Sequence, residues 1–277
     1  MKYFIGIGAQ KAGTSWLAHH LSSHPAIAVS PLKELHFFDQ IYRADMCGEF
    51  TNGFKQRLEG LQARCDKGQL SASEQVILDH LQQRLSIADM PSKYRQYLDS
   101  LASSDQQAVM EITPSYSLLQ AEGFRAIKST LPGVKLIFIM RDPIARYWSQ
   151  LRYHQKMQPQ FDALGHCVKG LDDSQFFLRT DYRRTLASVD EVFSPGEVCH
   201  IFYEDLFSAE THQSTLRDIA AFMRVDAISG AYSQRVNTGL DINLPQDCLP
   251  VLRQRFEPIY IDIRRRFGDR VPESWCQ

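Results

Sequence analysis

The sequence has no excess of charge of either sign. Lys and Arg number 31 against 32 Asp and Glu, which leaves a formal net charge of −1. Such a balance gives no overall pull toward nucleic acid or an anionic membrane surface. Any anion site must therefore be a local concentration of cations. Long apolar runs are also missing, and none approaches the roughly 20 residues that span a bilayer. The first strand signal begins at Tyr3, so the expectation is that neither a signal peptide nor an anchor precedes it. Six cysteines occur, but they form neither a C-x-x-C pair nor a zinc-like spacing. We expect no metal site, and reduced thiols in a cytoplasmic protein. Internal repeats, low-complexity tracts and linkers are absent as well. With 44% hydrophobic and 23% charged residues, the 277 residues suit a soluble globular chain. The expectation is one domain over 1–277 with a helical insertion at about 42–107.

What is present is a series of short apolar runs separated by helical patterns. The runs fall at 3–8, 26–29, 108–112, 134–140 and 197–203. The segment Val134–Met140 shows no alternation, as expected of a parallel strand covered on both faces. Between Tyr42 and Gln107 the strand signal stops. Ser71 with Glu74 forms a capping box there, and Pro91 opens a further helix. A closing amphipathic helix runs through Leu249, Phe256 and Phe267, bent or interrupted near Pro258. Cys199, inside an apolar run, is expected in the core.

The stretch that organises the chain is Tyr3-Phe4-Ile5-Gly6-Ile7-Gly8-Ala9-Gln10-Lys11-Ala12-Gly13-Thr14-Ser15-Trp16-Leu17. It reads as strand, tight loop and helix. A loop between Gly8 and Gly13 would turn backbone N–H groups and a helix start toward one anion. Lys11 adds a mobile positive charge, and Thr14 and Ser15 add hydroxyls where helix caps are favoured. The spacing departs from G-x-x-x-x-G-K-[ST], because Thr14 stands where that nucleotide loop has its lysine. A second stretch leaves the apolar strand at Arg141-Asp142-Pro143 and reaches Ser149 about two helical turns on. Arginine's planar fork and a serine hydroxyl together suit a phosphate monoester. A third stretch, Lys33-Glu34-Leu35-His36-Phe37-Phe38-Asp39, follows the second strand, where α/β sheets place ligands.

These stretches resemble those of the sulfotransferases that use 3'-phosphoadenosine 5'-phosphosulfate (PAPS). Gln10, Lys11, Ala12, Gly13, Thr14, Ser15 and Trp16 match the 5'-phosphosulfate loop, and Arg141 and Ser149 the 3'-phosphate positions. Lys33–Phe38 resembles the K-E-x-H-F-F segment of the glycosaminoglycan-type branch, in which the glutamate is the catalytic base. Glu111-Ile112-Thr113-Pro114 is similar to that branch's E-K-[ST]-P segment, except that Ile112 replaces a lysine. That replacement and the missing anchor argue against a heparan-like acceptor and toward a soluble bacterial type. Tyr203-Glu204-Asp205-Leu206 matches a further family segment, and Asn237 and Thr238 would close over the adenosine side.

The resemblance implies an α/β fold with a central parallel sheet flanked by helices, like that of P-loop NTPases. It implies transfer of a sulfuryl group from PAPS, without a required metal, to a hydroxyl or amine of a small-molecule or glycan acceptor. Lys11 would stabilise the leaving phosphate, Glu34 would act as general base, and His36 would orient the site or substitute for it. Two other readings remain open: a P-loop-type kinase, which predicts lysine directly after Gly13, and a non-catalytic nucleotide-binding protein.

Overall fold

Five apolar segments form strands among the described residues: β1 (Lys2–Gly8), β2 (Ile27–Val29), β3 (Ala108–Ile112), β4 (Lys135–Met140) and β5 (Val198–Phe202). All neighbours pair in parallel, in the order β2-β3-β1-β4-β5. The computed structural model describes residues 1–43, 45, 49–230 and 240–276. Parallel strands need crossovers, and helices supply them on both faces. Every residue of β3 is buried, and so are all of β1 and β4 after their first residues. This explains why those strands read as unbroken apolar runs.

Helix α1 (Thr14–Ser22) follows β1. The interval between β2 and β3 holds α2 (Phe37–Tyr42), α3 (Glu49–Cys65), α4 (Ala72–Ile87) and α5 (Pro91–Leu101). The Ser71–Glu74 capping box opens α4, with Glu74 N donating to Ser71 Oγ at 3.3 Å and Ser71 N to Glu74 Oε2 at 3.0 Å. After β3 comes α6 (Ala121–Thr130), and after β4 come α7 (Pro143–Met157), α8 (His166–Lys169), α9 (Ser174–Phe177) and α10 (Tyr182–Asp190). β5 leads into α11 (Tyr203–Leu206), α12 (His212–Met223) and the closing α13 (Leu249–Phe267). The last of these runs unbroken through Pro258, so the interruption expected there is not found. Cys199 is half-buried rather than in the core, because β5 lies at the edge of the sheet. Among the described residues no helix is long and apolar enough to cross a membrane.

The chain moves outward from β1 to β2 and β3 on one side, then crosses to β4 and β5 on the other. The carboxyl ends of β1 and β4 thus flank the point where the winding reverses, which is where open α/β sheets bind ligands. Chain crossing is tight at that point. Gly8 has φ +139°, and a Cβ there would lie 2.7 Å from the Pro114 carbonyl oxygen. Gly8→Ala should therefore lower the free energy of unfolding by more than about 1 kcal/mol. Urea denaturation checks this, and an unchanged midpoint would show that the loop has room to relax.

Candidate active site

The loop after β1 is held by the two arginines that follow β4. Ala9 N donates to Ile139 O at 2.7 Å, tying the start of the loop to β4. Arg141 Nη1 donates to Lys11 O at 3.1 Å, and Arg146 Nη1 to Gln10 O at 3.3 Å. Lys11 and Gly13 take left-handed conformations, with φ 69° and 85°. Gly13 rather than Thr14 or Ser15 occupies the cap of α1, and no side chain caps that helix. The reason is steric. A Cβ on Gly13 would lie 3.1 Å from Phe207 Cε2 and 3.3 Å from Tyr203 Cδ2, so glycine lets those rings close over the loop.

A cavity of about 500 Å³ opens at this point. From the first loop, Gln10, Lys11, Gly13, Thr14, Ser15 and Trp16 line it. Arg141, Ser149 and Tyr203 line another wall, and Glu34 with Lys33 a third. Ala12 is fully buried behind the loop, and its N–H donates to Ala9 O at 3.2 Å, so it offers the cavity no side chain. Asn237 and Thr238 lie outside the described residues.

Lys11 Nζ stands 3.9 Å over the Tyr153 ring. Burial first, and then the positive charges of Arg141, Lys33, Lys156 and Arg146, push its pKa down to about 8. Arg141 packs its guanidinium 4.4 Å from the Tyr203 ring, and the Tyr182 hydroxyl brackets its peptide, accepting from Arg141 N and donating to Arg141 O. Asp142 does not pair with Arg141. Its side chain caps α7 through Ala145 N at 2.8 Å and accepts from the Tyr260 hydroxyl at 2.7 Å. Glu204 accepts from Asp142 N at 2.9 Å, so the Tyr203–Glu204 segment braces the arginine turn from both sides.

The Glu34 segment is strung along the end of β3. Glu34 N donates to Ile112 O, Leu35 N to Glu111 Oε1 and His36 N to Thr113 Oγ1. Glu34 and His36 both take left-handed conformations, with φ 63° and 50°. The carbonyls between them would be stranded without Arg84 of α4, which donates to Leu35 O at 2.5 Å and to His36 O at 3.1 Å. Ile112, the residue in place of the expected lysine, is buried against Gly6. Glu111 is buried too, its carboxyl pushed up to about 7 mainly by burial, and Tyr94 and Thr113 donate to it.

Glu34 sits between two cations. Lys33 Nζ lies 3.1 Å from its Oε1 and His36 Nε2 lies 3.5 Å from its Oε2. His36 does not line the cavity. Its Nδ1 lies 2.7 Å from the fully buried Asp39 carboxylate, and its ring stacks on Phe50 of α3 at 3.6 Å. Burial opposes both charges, but the mutual hydrogen bonds outweigh it. The Glu34 pKa is held down by His36 and Lys33, and that of His36 is raised by Asp39 and Glu34. At neutral pH the pair is carboxylate and imidazolium.

The model of the Sulfotransferase family matches residues 4–229. The chain belongs to the sulfotransferase family. A Dictyostelium discoideum relative, the membrane-associated sulfotransferase kil1, is 26% identical over 155 residues. That match covers 56% of this chain and 23% of the relative, so the chain spans under a quarter of that protein's length. The fold is similar to that of a sulfotransferase from Alicyclobacillus acidocaldarius, with TM-score 0.66, 19% identity and coverage of 99% of this chain and 98% of that one. Sulfotransferase STF9 from Mycobacterium avium is similar at TM-score 0.50 and 14% identity, over 94% of this chain and 76% of that one. The parallel sheet flanked by helices is thus the P-loop-like fold of the sulfotransferase family. Among the described residues no group of His, Cys, Asp and Glu is arranged to hold a metal.

Five cavity residues of this sulfotransferase-family chain escape motif reading. Arg152 and Tyr153 lie three and four positions after Ser149 on α7 and so share its face. Helical spacing from Ser149 was a usable signal for both. Phe207, Leu240 and Asp241 carried none, since only the tertiary fold brings them to the cavity. The electrostatics lead to a test with inorganic sulfate, whose own charge is constant between pH 7 and 10. Lys11 is charged below about 8 and neutral above it, so sulfate affinity should be full below that pH and fall as the pH rises through it. In Lys11→Arg the fall should vanish. Calorimetric titration across this range reads the effect, and a pH-independent affinity in the wild-type protein would remove Lys11 from the anion site.

Proposed function

We propose that the chain transfers a sulfuryl group from PAPS to a hydroxyl or amine of a small-molecule or glycan acceptor. The observation that carries this reading is one cavity lined at once by Lys11, Arg141 and Ser149 on the donor side and by Glu34 opposite. The 5'-phosphosulfate would rest on the Gln10–Trp16 loop, and the 3'-phosphate on Arg141 and Ser149. Sulfuryl transfer passes a neutral SO3-like group in line between two oxygens, by analogy with the loose transition state of phosphoryl transfer. Negative charge grows on the departing phosphate, and Lys11 stabilises it most in the transition state.

The proton bookkeeping favours Glu34 over His36 as the base. His36 already carries both ring protons at neutral pH, so it has no lone pair to offer. Glu34 is ionised and reaches the cavity. Its flanking cations make it a weak base, but in a loose transition state the acceptor's proton becomes acidic late, as the new bond forms. His36 then serves to hold Glu34 in place. A kinase reading gains nothing from Thr14 in the lysine position.

Glu34→Gln preserves shape but removes basicity, so turnover with labelled PAPS over a panel of phenols, alcohols, amines and sugars should fall by about 10²–10⁴-fold. Affinity for adenosine 3',5'-bisphosphate should change little. Full activity in Glu34→Gln would place the base elsewhere, and no label transfer by the wild-type protein to any acceptor class would count against the reaction itself.

A further inference from the structure

One ammonium group in the cavity touches two of its walls. Lys33 lies in the segment between β2 and α2, and its Nζ donates to Ser15 Oγ at 2.6 Å, in the first turn of α1. The same Nζ stands 3.1 Å from Glu34 Oε1. Lys33, Ser15 and Glu34 all line the one cavity. The backbone that carries Lys33 is pinned on both sides. Ser30 Oγ donates to Leu32 O at 2.8 Å, and Glu34 N to Ile112 O at 3.2 Å. The side chain is not packed away, for 38% of its surface is open, so the ammonium can turn on a fixed base.

This bridge bears on any group that moves across the cavity. A group leaving the loop for an acceptor held at Glu34 passes beside the Lys33 ammonium, because that ammonium contacts both the start of α1 and the carboxylate. Lys11 and Lys33 line the same cavity from different elements, one from the loop after β1 and the other from the segment after β2. They therefore divide the work by place: Lys11 stands on the loop and Lys33 between loop and base. The Lys33 charge also bears on Glu34. Burial raises the pKa of that carboxyl, but His36 and then Lys33 hold it down.

We propose that Lys33 is a catalytic residue that grips the oxygens of the sulfuryl group and aims its sulfur at the acceptor. The inference rests on the sulfuryl-transfer reading and adds to it a residue that touches the group in transfer. The acceptor oxygen or nitrogen attacks sulfur, and the sulfur–oxygen bond to the 5'-phosphate breaks with its electron pair left on the phosphate oxygen. The acceptor's proton passes to Glu34. The products are a sulfate ester, or a sulfamate from an amine, and adenosine 3',5'-bisphosphate. The outer sulfuryl oxygens carry negative charge in PAPS and again in the product, so an ammonium beside them holds the group in line between its two partners. Lysine suits this role because its charge is compact and rides on a flexible stem with three donors, so it can follow a moving group. As the ammonium turns to those oxygens its hold on Glu34 loosens, and the carboxylate regains basicity when the proton must leave.

The test compares PAPS with adenosine 3',5'-bisphosphate, which differ by the sulfuryl group alone. In calorimetry Lys33→Gln should weaken PAPS about 10-fold and leave the affinity for the bisphosphate, the control for folding, unchanged. Turnover with labelled PAPS over the acceptor panel should fall about 10- to 100-fold. Lys33→Arg should recover part of both losses. A Glu34 carboxylate without its lysine would also repel PAPS, so the comparison is repeated in a Glu34→Gln background, where the loss of PAPS affinity should persist. A loss that disappears in that background would overturn the proposal, as would unchanged PAPS affinity and turnover in Lys33→Gln. Equal losses for PAPS and the bisphosphate would overturn it too, by making Lys33 a strut that holds the loop through Ser15. All three results leave the sulfuryl-transfer reading standing. Wild-type protein that binds no PAPS would remove that reading, and this inference with it.

Discussion

Positive charge that no carboxylate neutralises is what the rest of this site depends on. Among the described residues Lys11, Arg141 and Arg146 make no ion pair. Arg146 is fully buried and among the described residues donates to neutral acceptors: Thr180 Oγ1, Gln10 O, Gln150 Oε1 and Phe176 O. Arg141 donates to Lys11 O. The hydrogen bonds fix the loop in place but leave the field standing, and burial intensifies it. The lowered pKa of Lys11 reflects its burial first and that field second. A chain with a net charge of −1 thus concentrates cations at one end of its sheet, where a polyanion can offset them.

The opposite wall solves a different problem. Glu34 and His36 reach their places only through left-handed backbone, and the peptide groups around them must find partners away from regular structure. Glu111 and Thr113 at the end of β3 take up the N–H groups, and Arg84 takes up the carbonyls. Phe50 of α3 then stacks on the imidazole. The helices between β2 and β3 therefore position the candidate base: α4 clamps its backbone and α3 covers its neighbour.

Much of this was legible because it is local. Lys11 and Arg141 each follow a strand within a few residues, Ser149 lies about two helical turns further on, and strand, loop and helix order alone sends them toward one crevice. The cap of α1 was misread because hydroxyls at Thr14 and Ser15 satisfy the usual preference, while the packing of Tyr203 and Phe207 that demands glycine comes from residues about 190 positions away. Arg84 could be seen only as one position on an amphipathic helix, since its partners lie 44 to 49 positions earlier. Buried arginines bonded to backbone carbonyls leave no sequence pattern, and they are what hold both walls of the cavity.

The central claim is that this cation cluster reads a nucleotide with phosphate on both the 3' and 5' sides. Calorimetric titration of adenosine 3',5'-bisphosphate, adenosine 5'-phosphate and ATP into the wild-type protein and Arg141→Ala tests it most directly. The account predicts that the wild-type protein prefers the bisphosphate to adenosine 5'-phosphate by about 10- to 100-fold. It also predicts that binding of the bisphosphate needs no magnesium and that Arg141→Ala loses most of the preference. Tightest binding of ATP, or equal losses for bisphosphate and 5'-phosphate in Arg141→Ala, would contradict it.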